Sequence, residues 1–260
     1  MVKNSYTQHN AKTIDSWVDD GWIWGIPVSE ADCRKARSGE WDVLLTPTRP
    51  VPKDWLLPLQ GKKLLGLASG GGQQMPIFSI LGAQCTVMDL SDRQLESERL
   101  VSLREGYEIE IVKADMTQTF PFTDAAFDII FHPVSNCYVE DVYHVWRECF
   151  RVLRPGGTLL AGMDNGINYL FEEDEAGKPL VVTGTLPYNP LRNPAQMQML
   201  DKDEDGIQFS HTFDEQIGGQ IKAGFMIAGA YEDFNIDPEE NFATAKAGIP
   251  TFWATKAVKP

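Results

Sequence analysis

Hydrophobic residues in this chain fall into two alternating patterns from Gly61 onward. Short apolar runs predict strands at Lys63–Ala68, Gln84–Asp89, Glu108–Lys113, Phe127–His132, Thr158–Met163, Phe225–Asp233 and Thr251–Val258. Runs such as Asp128-Ile-Ile-Phe131 are apolar on successive residues, as expected of strands covered on both faces of a parallel sheet. Between them the spacing becomes helical. Val142, Val145, Trp146, Cys149, Phe150 and Leu153 form one apolar face, which Pro155-Gly-Gly157 should stop. Ser91 with Gln94 reads as a capping box, Gly106 as the end of that helix, and Thr212 with Glu215 as the start of a later one that ends at Gly224. Strand and helix in alternation demand right-handed crossovers, hence an α/β fold with a doubly wound, mostly parallel sheet.

Two stretches depart from that rhythm. Residues 1–60 hold five of the seven tryptophans and exit through Thr46-Pro-Thr-Arg-Pro-Val-Pro52, an extended linker because proline removes donors and fixes φ. This part reads as an aromatic-rich cap and linker, too small to fold alone and packed on a main domain spanning 61–260. Within that domain, about 164–211 separates the fifth strand from its helix and carries an acidic run, Glu172–Glu175, a proline-rich piece with Pro187, Pro190 and Pro194, and the pair Met197 and Met199. So long a connection is usually a lid or substrate-facing insertion.

Charge narrows the partners. With 23 basic and 37 acidic residues the formal charge is −14, which disfavours nucleic acid and anionic lipid. No apolar run reaches the roughly 18 residues of a spanning helix, and the first ten residues lack a signal-peptide core. Four cysteines show no zinc spacing, so buried thiols in a reducing cytoplasmic setting are expected. No pattern in the chain specifies an oligomeric state.

The decisive segment is Leu64-Leu-Gly-Leu-Ala-Ser-Gly-Gly-Gly-Gln-Gln74, a buried strand that breaks into three glycines and restarts as a helix. Glycine serves where the chain turns sharply or where a ligand approaches too closely for a Cβ. The turn lies at the carboxyl end of the first strand, where open α/β sheets place ligands. Seventeen residues beyond Gly72, the second strand ends at Asp89, placed to accept two hydrogen bonds from a ribose diol. The third glycine of a pyrophosphate-binding turn is missing, which favours a nucleoside ligand without pyrophosphate. A tight turn followed by a helix-capping Asp is the plainer alternative.

On these residues the chain resembles the class I S-adenosylmethionine-dependent methyltransferases over nearly all of 61–260. Gly66, Ala68, Gly70 and Gly72 occupy the four anchor positions of the family's acid-x-Gly-x-Gly-x-Gly motif, so the acid and the first glycine are replaced. The resemblance implies a seven-stranded sheet with an antiparallel last strand. It implies S-adenosylmethionine held by Ala68, Ser69, Gly70 and Gly72, its ribose by Asp89, and its adenine beside Leu90, Asp115 and Met116. Gly66 leaves open how the methionyl ammonium is held, with Ser69 and loop carbonyls as the substitutes. Phe127–Phe131 and Leu153-Arg-Pro-Gly-Gly157 match the family's fourth strand and the turn into the fifth.

Methyl transfer needs alignment, exclusion of water and sometimes a proton acceptor. His132, at the end of the fourth strand, is the candidate general base and a cofactor-site residue; the alternative is a ring that only bonds a backbone carbonyl. Asn136, Tyr138, Trp22 and Trp24 are candidate acceptor contacts, while Trp17, Trp41 and Trp55 read as anchors. Met163-Asp164-Asn165 is similar to the magnesium-binding pair of catechol-type enzymes. The further acid those enzymes carry is replaced by His132, so no metal is expected. The expectation is therefore a small-molecule methyltransferase, the alternatives being a nucleoside-binding protein without turnover or a nicotinamide-dependent reductase.

Overall fold

The computed structural model describes residues 5–171, 181–200, 205–235 and 248–260. The acidic run Glu172–Glu175 lies outside them. Helix α1 (Ser5–Asp19) and helix α2 (Glu30–Arg37) precede the sheet. Strands and helices then alternate: β1 (Lys63–Leu67), α3 (Gln74–Ile80), β2 (Gln84–Asp89), α4 (Asp92–Glu105), β3 (Glu110–Lys113), β4 (Phe127–His132), α5 (Val142–Val152) and β5 (Leu153–Asp164). A short helix α6 (Pro194–Met199) follows, then α7 (Gly219–Ala223) after one π turn, β6 (Met226–Asp233) and β7 (Phe252–Val258).

The seven strands order as β3-β2-β1-β4-β5-β7-β6. β1 to β5 are mutually parallel, and β7 runs antiparallel to both β5 and β6. The doubly apolar strand pattern has its explanation in the core. Leu64, Val87 and Phe131 pack with Phe78 and Trp41 on one face, and their neighbours Leu65, Met88 and Ile130 pack with Trp146 and Val145 on the other.

Local punctuation behaves as the residues dictate, with two exceptions. Ser91 Oγ accepts from Gln94 N at 3.1 Å, and Gly106 closes α4 in a left-handed conformation. The reciprocal half of that capping box is missing: Ser91 N donates to Asp89 Oδ1 instead, releasing the Gln94 side chain for another task. Thr212 and Glu215 do exchange both bonds. The second exception is Pro155-Gly-Gly157. The chain leaves α5 directly into β5, and these residues form a bulge between the pairs Phe127↔Leu153 and Ile129↔Thr158 rather than a turn that precedes the strand. Gly156 N and Gly157 O pair with Lys259, so β7 covers the bulge.

The N-terminal segment is fastened on both sides of the carboxyl end of the sheet. Asp15 Oδ1 accepts from Ser91 Oγ and Arg93 N at the head of α4. Val28 N donates to Gly72 O, and Gln73 Nε2 donates to the carbonyls of Ile23 and Ile26. On the other side Asn10 exchanges two hydrogen bonds with Ile207, tying α1 to the 164–211 insertion.

Candidate active site

A cavity of about 530 Å³ opens along the carboxyl ends of β1, β2, β4 and β5. Its floor is the β1–α3 loop, through Ala68, Ser69 and Gly70. One wall is Asp89, Leu90, Gln94, Asp115, Met116 and Thr117; the opposite wall is Val134, Ser135, Tyr138, Asp164 and Phe252. Asn10, Trp22, Trp24 and the linker residues Leu44 to Pro47 close it from the N-terminal side, and Asn168, Tyr169 and Gln208 from the insertion. No lysine, arginine or histidine lines it among the described residues.

The loop owes its shape to protein packing as much as to ligand approach. A Cβ on Gly70 would sit 2.6 Å from Gln94 Cβ and 3.0 Å from Asp89 Oδ2. One on Gly71 would meet Gln94 Oε1 at 2.5 Å and Trp24 O at 2.9 Å, and one on Gly72 would meet Val101 and Ser97 O. Gly72 therefore seats the loop on α4 and lies outside the cavity lining, contrary to the direct contact expected of it. Its amide donates to Glu98 Oε1 at 2.9 Å, and burial raises the fully enclosed Glu98 carboxyl to about 8. Ala68 holds φ +46°, the left-handed region that favours glycine. Gly66 has a packing neighbour too: a Cβ there would lie 2.5 Å from Met75 Sδ, so the Met75 side chain of α3 fills the space beside this part of β1.

Two carboxylates stand at the strand tips. Asp89 is half-buried, and each oxygen accepts one backbone amide, Gly70 N and Ser91 N, both at 3.0 Å. Burial raises its carboxyl above the usual range, against the pull of those amides. Each oxygen keeps a further lone pair toward the cavity. Asp115 is half-buried, and its Oδ1 accepts from Thr117 N and Oγ1. Gln94 Oε1 is buried without a partner. An unsatisfied acceptor at a cavity wall is costly unless a ligand donates to it. An adenosyl group, with two ribose hydroxyls and an exocyclic amine, supplies such donors.

The other expected residues divide. Trp22, Trp24, Tyr138, Leu90 and Met116 line the cavity. Trp17 packs against Trp22 with ring centroids 5.3 Å apart, and Trp55 against Tyr231. His132 is fully buried beneath the loop: Nδ1 lies 2.9 Å from Leu67 O, Nε2 lies 2.7 Å from Asn136 Oδ1, and the ring meets Trp146 edge-on. Burial lowers its pKa. Neither His132 nor Asn136 lines the cavity; together with Gln216 they brace β4 against the start of the glycine loop. The position suits a ring that bonds a backbone carbonyl and gives it no route to an acceptor. Cys137 is buried and desolvation pushes its thiol far up.

Several lining residues carried no readable signal. Gln94 was visible only as a cap. Leu44 to Pro47 lie at the start of the proline-rich exit, where no periodicity specifies the path of the chain. Asp164, singled out only with Asn165 as a pair similar to a magnesium site, sits in a turn: its carboxylate accepts Gly166 N at 2.6 Å and Asn168 Nδ2 at 3.2 Å. It also faces the cavity. Among the described residues no group of three His, Cys, Asp or Glu is arranged to hold a metal ion, and no helix is long and apolar enough to cross a membrane.

Comparison with known proteins identifies the relatives of the chain. A family model described as a methyltransferase domain matches residues 65–161. The chain is 39% identical over 262 residues, covering 98% of itself and 99% of its relative, to a Bacillus subtilis protein named uncharacterized methyltransferase YbaJ. It is 29% identical over 188 residues to a ubiquinone biosynthesis O-methyltransferase of Nitrosococcus oceani, covering 67% of this chain and 79% of that one. Among solved structures, a putative S-adenosylmethionine-dependent methyltransferase from Listeria monocytogenes shares the fold with a TM-score of 0.63 at 17% identity, covering 80% of this chain and 95% of the other. An S-adenosylmethionine-dependent methyltransferase from Mesorhizobium loti does so with a TM-score of 0.60 at 19% identity and the same coverage.

Proposed function

The chain belongs to the class I S-adenosylmethionine-dependent methyltransferases, and from that premise we propose that it methylates a small-molecule acceptor bound at the β4–β5 end of the cavity. When bound, S-adenosylmethionine supplies an activated methyl group on a sulfonium. Asp89 would hold the ribose diol, Asp115 Oδ2 and Gln94 Oε1 would accept the remaining adenosyl donors, and Leu90 and Met116 would flank the base. Ser69 and loop carbonyls would take the methionyl ammonium in place of the acid that Gly66 replaces. Trp22 and Trp24 cover the cavity from the N-terminal segment and exclude water.

The observation that carries this reading is the enclosure of the cavity. The segment 1–60 and the insertion meet across it through Asn10 and Ile207, leaving about 530 Å³ for cofactor and acceptor together. A nucleic-acid duplex or a folded protein surface does not enter such a space, and the net charge of −14 repels polyanions. The relatives named ubiquinone biosynthesis O-methyltransferases support a small acceptor as well. The test is release of S-adenosylhomocysteine from purified protein given S-adenosylmethionine with a panel of phenols, amines and thiols. Turnover on members of that panel is expected. Turnover on RNA or protein with none on the panel would overturn it.

A further inference from the structure

Asp164 is the buried carboxylate in the described lining of the cavity that the cofactor-binding assignments leave unused. It ends β5, and β5 lies three strands from β2 in the order β2-β1-β4-β5. At the usual strand spacing that is about 14 Å from the strand tip carrying Asp89. The two carboxylates thus mark opposite ends of one cavity, Asp89 at the nucleoside end and Asp164 at the end where an acceptor must sit.

Its surroundings are unusual for a carboxylate. Asp164 is 8% exposed and held in place by Gly166 N and Asn168 Nδ2, and no lysine, arginine or histidine shares the cavity among the described residues. A buried carboxylate without a counter-charge is costly, and a cationic ligand relieves that cost. Burial raises its pKa to about 6, against the opposing pull of Gly166 and Asn168. The titratable groups nearest to it, Cys137 and Tyr169, are both pushed far up by desolvation and stay neutral at physiological pH. From β7 the neighbouring residues Thr251, Phe252 and Trp253 bring no charge. Asp233, at the end of β6, is engaged by the amides and hydroxyl of Thr48 and Arg49.

We propose that Asp164 faces the reacting end of the cofactor and takes the proton of an acceptor that presents an O–H or N–H group. The acceptor is then an uncharged or cationic hydroxyl or amine compound, since among the described residues no lysine, arginine or histidine lines the cavity to pair with an anionic group beside Asp164. The inference rests on the cofactor placement above. In the step, the acceptor oxygen or nitrogen forms a bond to the methyl carbon as the carbon–sulfur bond breaks, its electron pair staying on sulfur. The acceptor's proton passes to Asp164, and the sulfonium charge and the carboxylate charge disappear together. The protonated Asp164 afterwards returns its proton to water.

The test needs no knowledge of the acceptor. Sinefungin carries a protonated amine where the cofactor carries its methyl sulfonium, and is otherwise close to S-adenosylhomocysteine. Calorimetry should find sinefungin bound at least tenfold tighter than S-adenosylhomocysteine by the wild-type protein. Asp164→Asn should cut that preference about tenfold while leaving the S-adenosylhomocysteine affinity within threefold. In the wild-type protein the preference should also fade as the pH falls below about 6, because the sinefungin amine stays charged while Asp164 is neutralised. That arm holds even if the variant folds poorly. An equal preference in both proteins, or one constant from pH 5 to 8, overturns the assignment of Asp164. Failure of the wild-type protein to bind S-adenosylhomocysteine at all would instead overturn the cofactor placement, and this proposal with it.

Discussion

Replacing Asp89 with asparagine changes one oxygen to an NH2 group and nothing in volume. Both carboxylate oxygens already accept backbone amides, from Gly70 and Ser91 at 3.0 Å. The new NH2 must face one of those N–H groups, donor against donor. Leaving a donor unsatisfied there costs about 1–3 kcal/mol of stability, and the melting temperature should fall by about 2–4 °C for each kcal/mol in a chain of this size. The same change removes at least one charge-assisted acceptor from the ribose. A bond of that kind is worth about 1.5–3 kcal/mol, so S-adenosylhomocysteine should bind about 10- to 150-fold more weakly by calorimetry. A loosened loop would also weaken binding, so the comparison that decides is a cycle with the 3′-deoxyribose analogue. The missing hydroxyl should weaken binding strongly in the wild-type protein and little in Asp89→Asn. If the analogue loses the same factor in both, Asp89 shapes the loop and does not touch the sugar.

Other substitutions test the supporting structure. Gly72→Ala combines φ +66° with a Cβ about 3 Å from Val101 and Ser97 O, so chemical denaturation should find it destabilised by about 2–5 kcal/mol, whereas Ala68→Gly at φ +46° should cost little. Glu98 stays protonated in the folded protein up to about pH 8 but ionises near 4.5 when unfolded; its contribution to stability is therefore present at low pH and is lost as pH rises through that window. Glu98→Gln keeps an acceptor for Gly72 N and should flatten that part of the melting-temperature profile between pH 5 and 9; an unchanged slope would remove Glu98 as its source. His132→Phe takes the imidazole partner from Leu67 O and from Asn136 Oδ1, at about 1–3 kcal/mol for each group left unsatisfied. The folded variant should keep the wild-type pH–rate profile, and loss of its acidic limb would restore His132 as the base.

The sheet was legible because it depends on local physics. Strands β2 and β4 have the bounds that their apolar runs give, since both are covered on two faces. At the edge, β3 is shorter than its pattern, beginning at Glu110, because one flank has no partner strand to extend it. The bulge at Pro155–Gly157 was misread as a turn. Proline and glycine mark irregular backbone equally well in either setting, and only the pairing of Lys259 with Gly156 and Gly157 decides between them. Site residues divide the same way. Asp89, Asp115 and the glycine loop sit at strand ends, where sequence position fixes spatial position. His132 shares that placement, but its side chain turns inward to Leu67 and Asn136, an orientation that no spacing rule encodes. Gln94 and Asp164 each have a local job, helix cap and turn, which masked the second one. The contributions of Leu44 to Pro47 and of the insertion arise from long-range contacts, such as Asn10 with Ile207, and are invisible to any window along the chain.

The most direct measurement is a crystal structure of the protein soaked or grown with S-adenosylhomocysteine. The sugar hydroxyls should lie within hydrogen-bond distance of Asp89, the base between Leu90 and Met116 with its amine on Asp115 Oδ2, and the sulfur turned toward Val134 and Asp164. Density for the nucleoside anywhere else, with Asp89 bonded only to Gly70 and Ser91, would contradict the account.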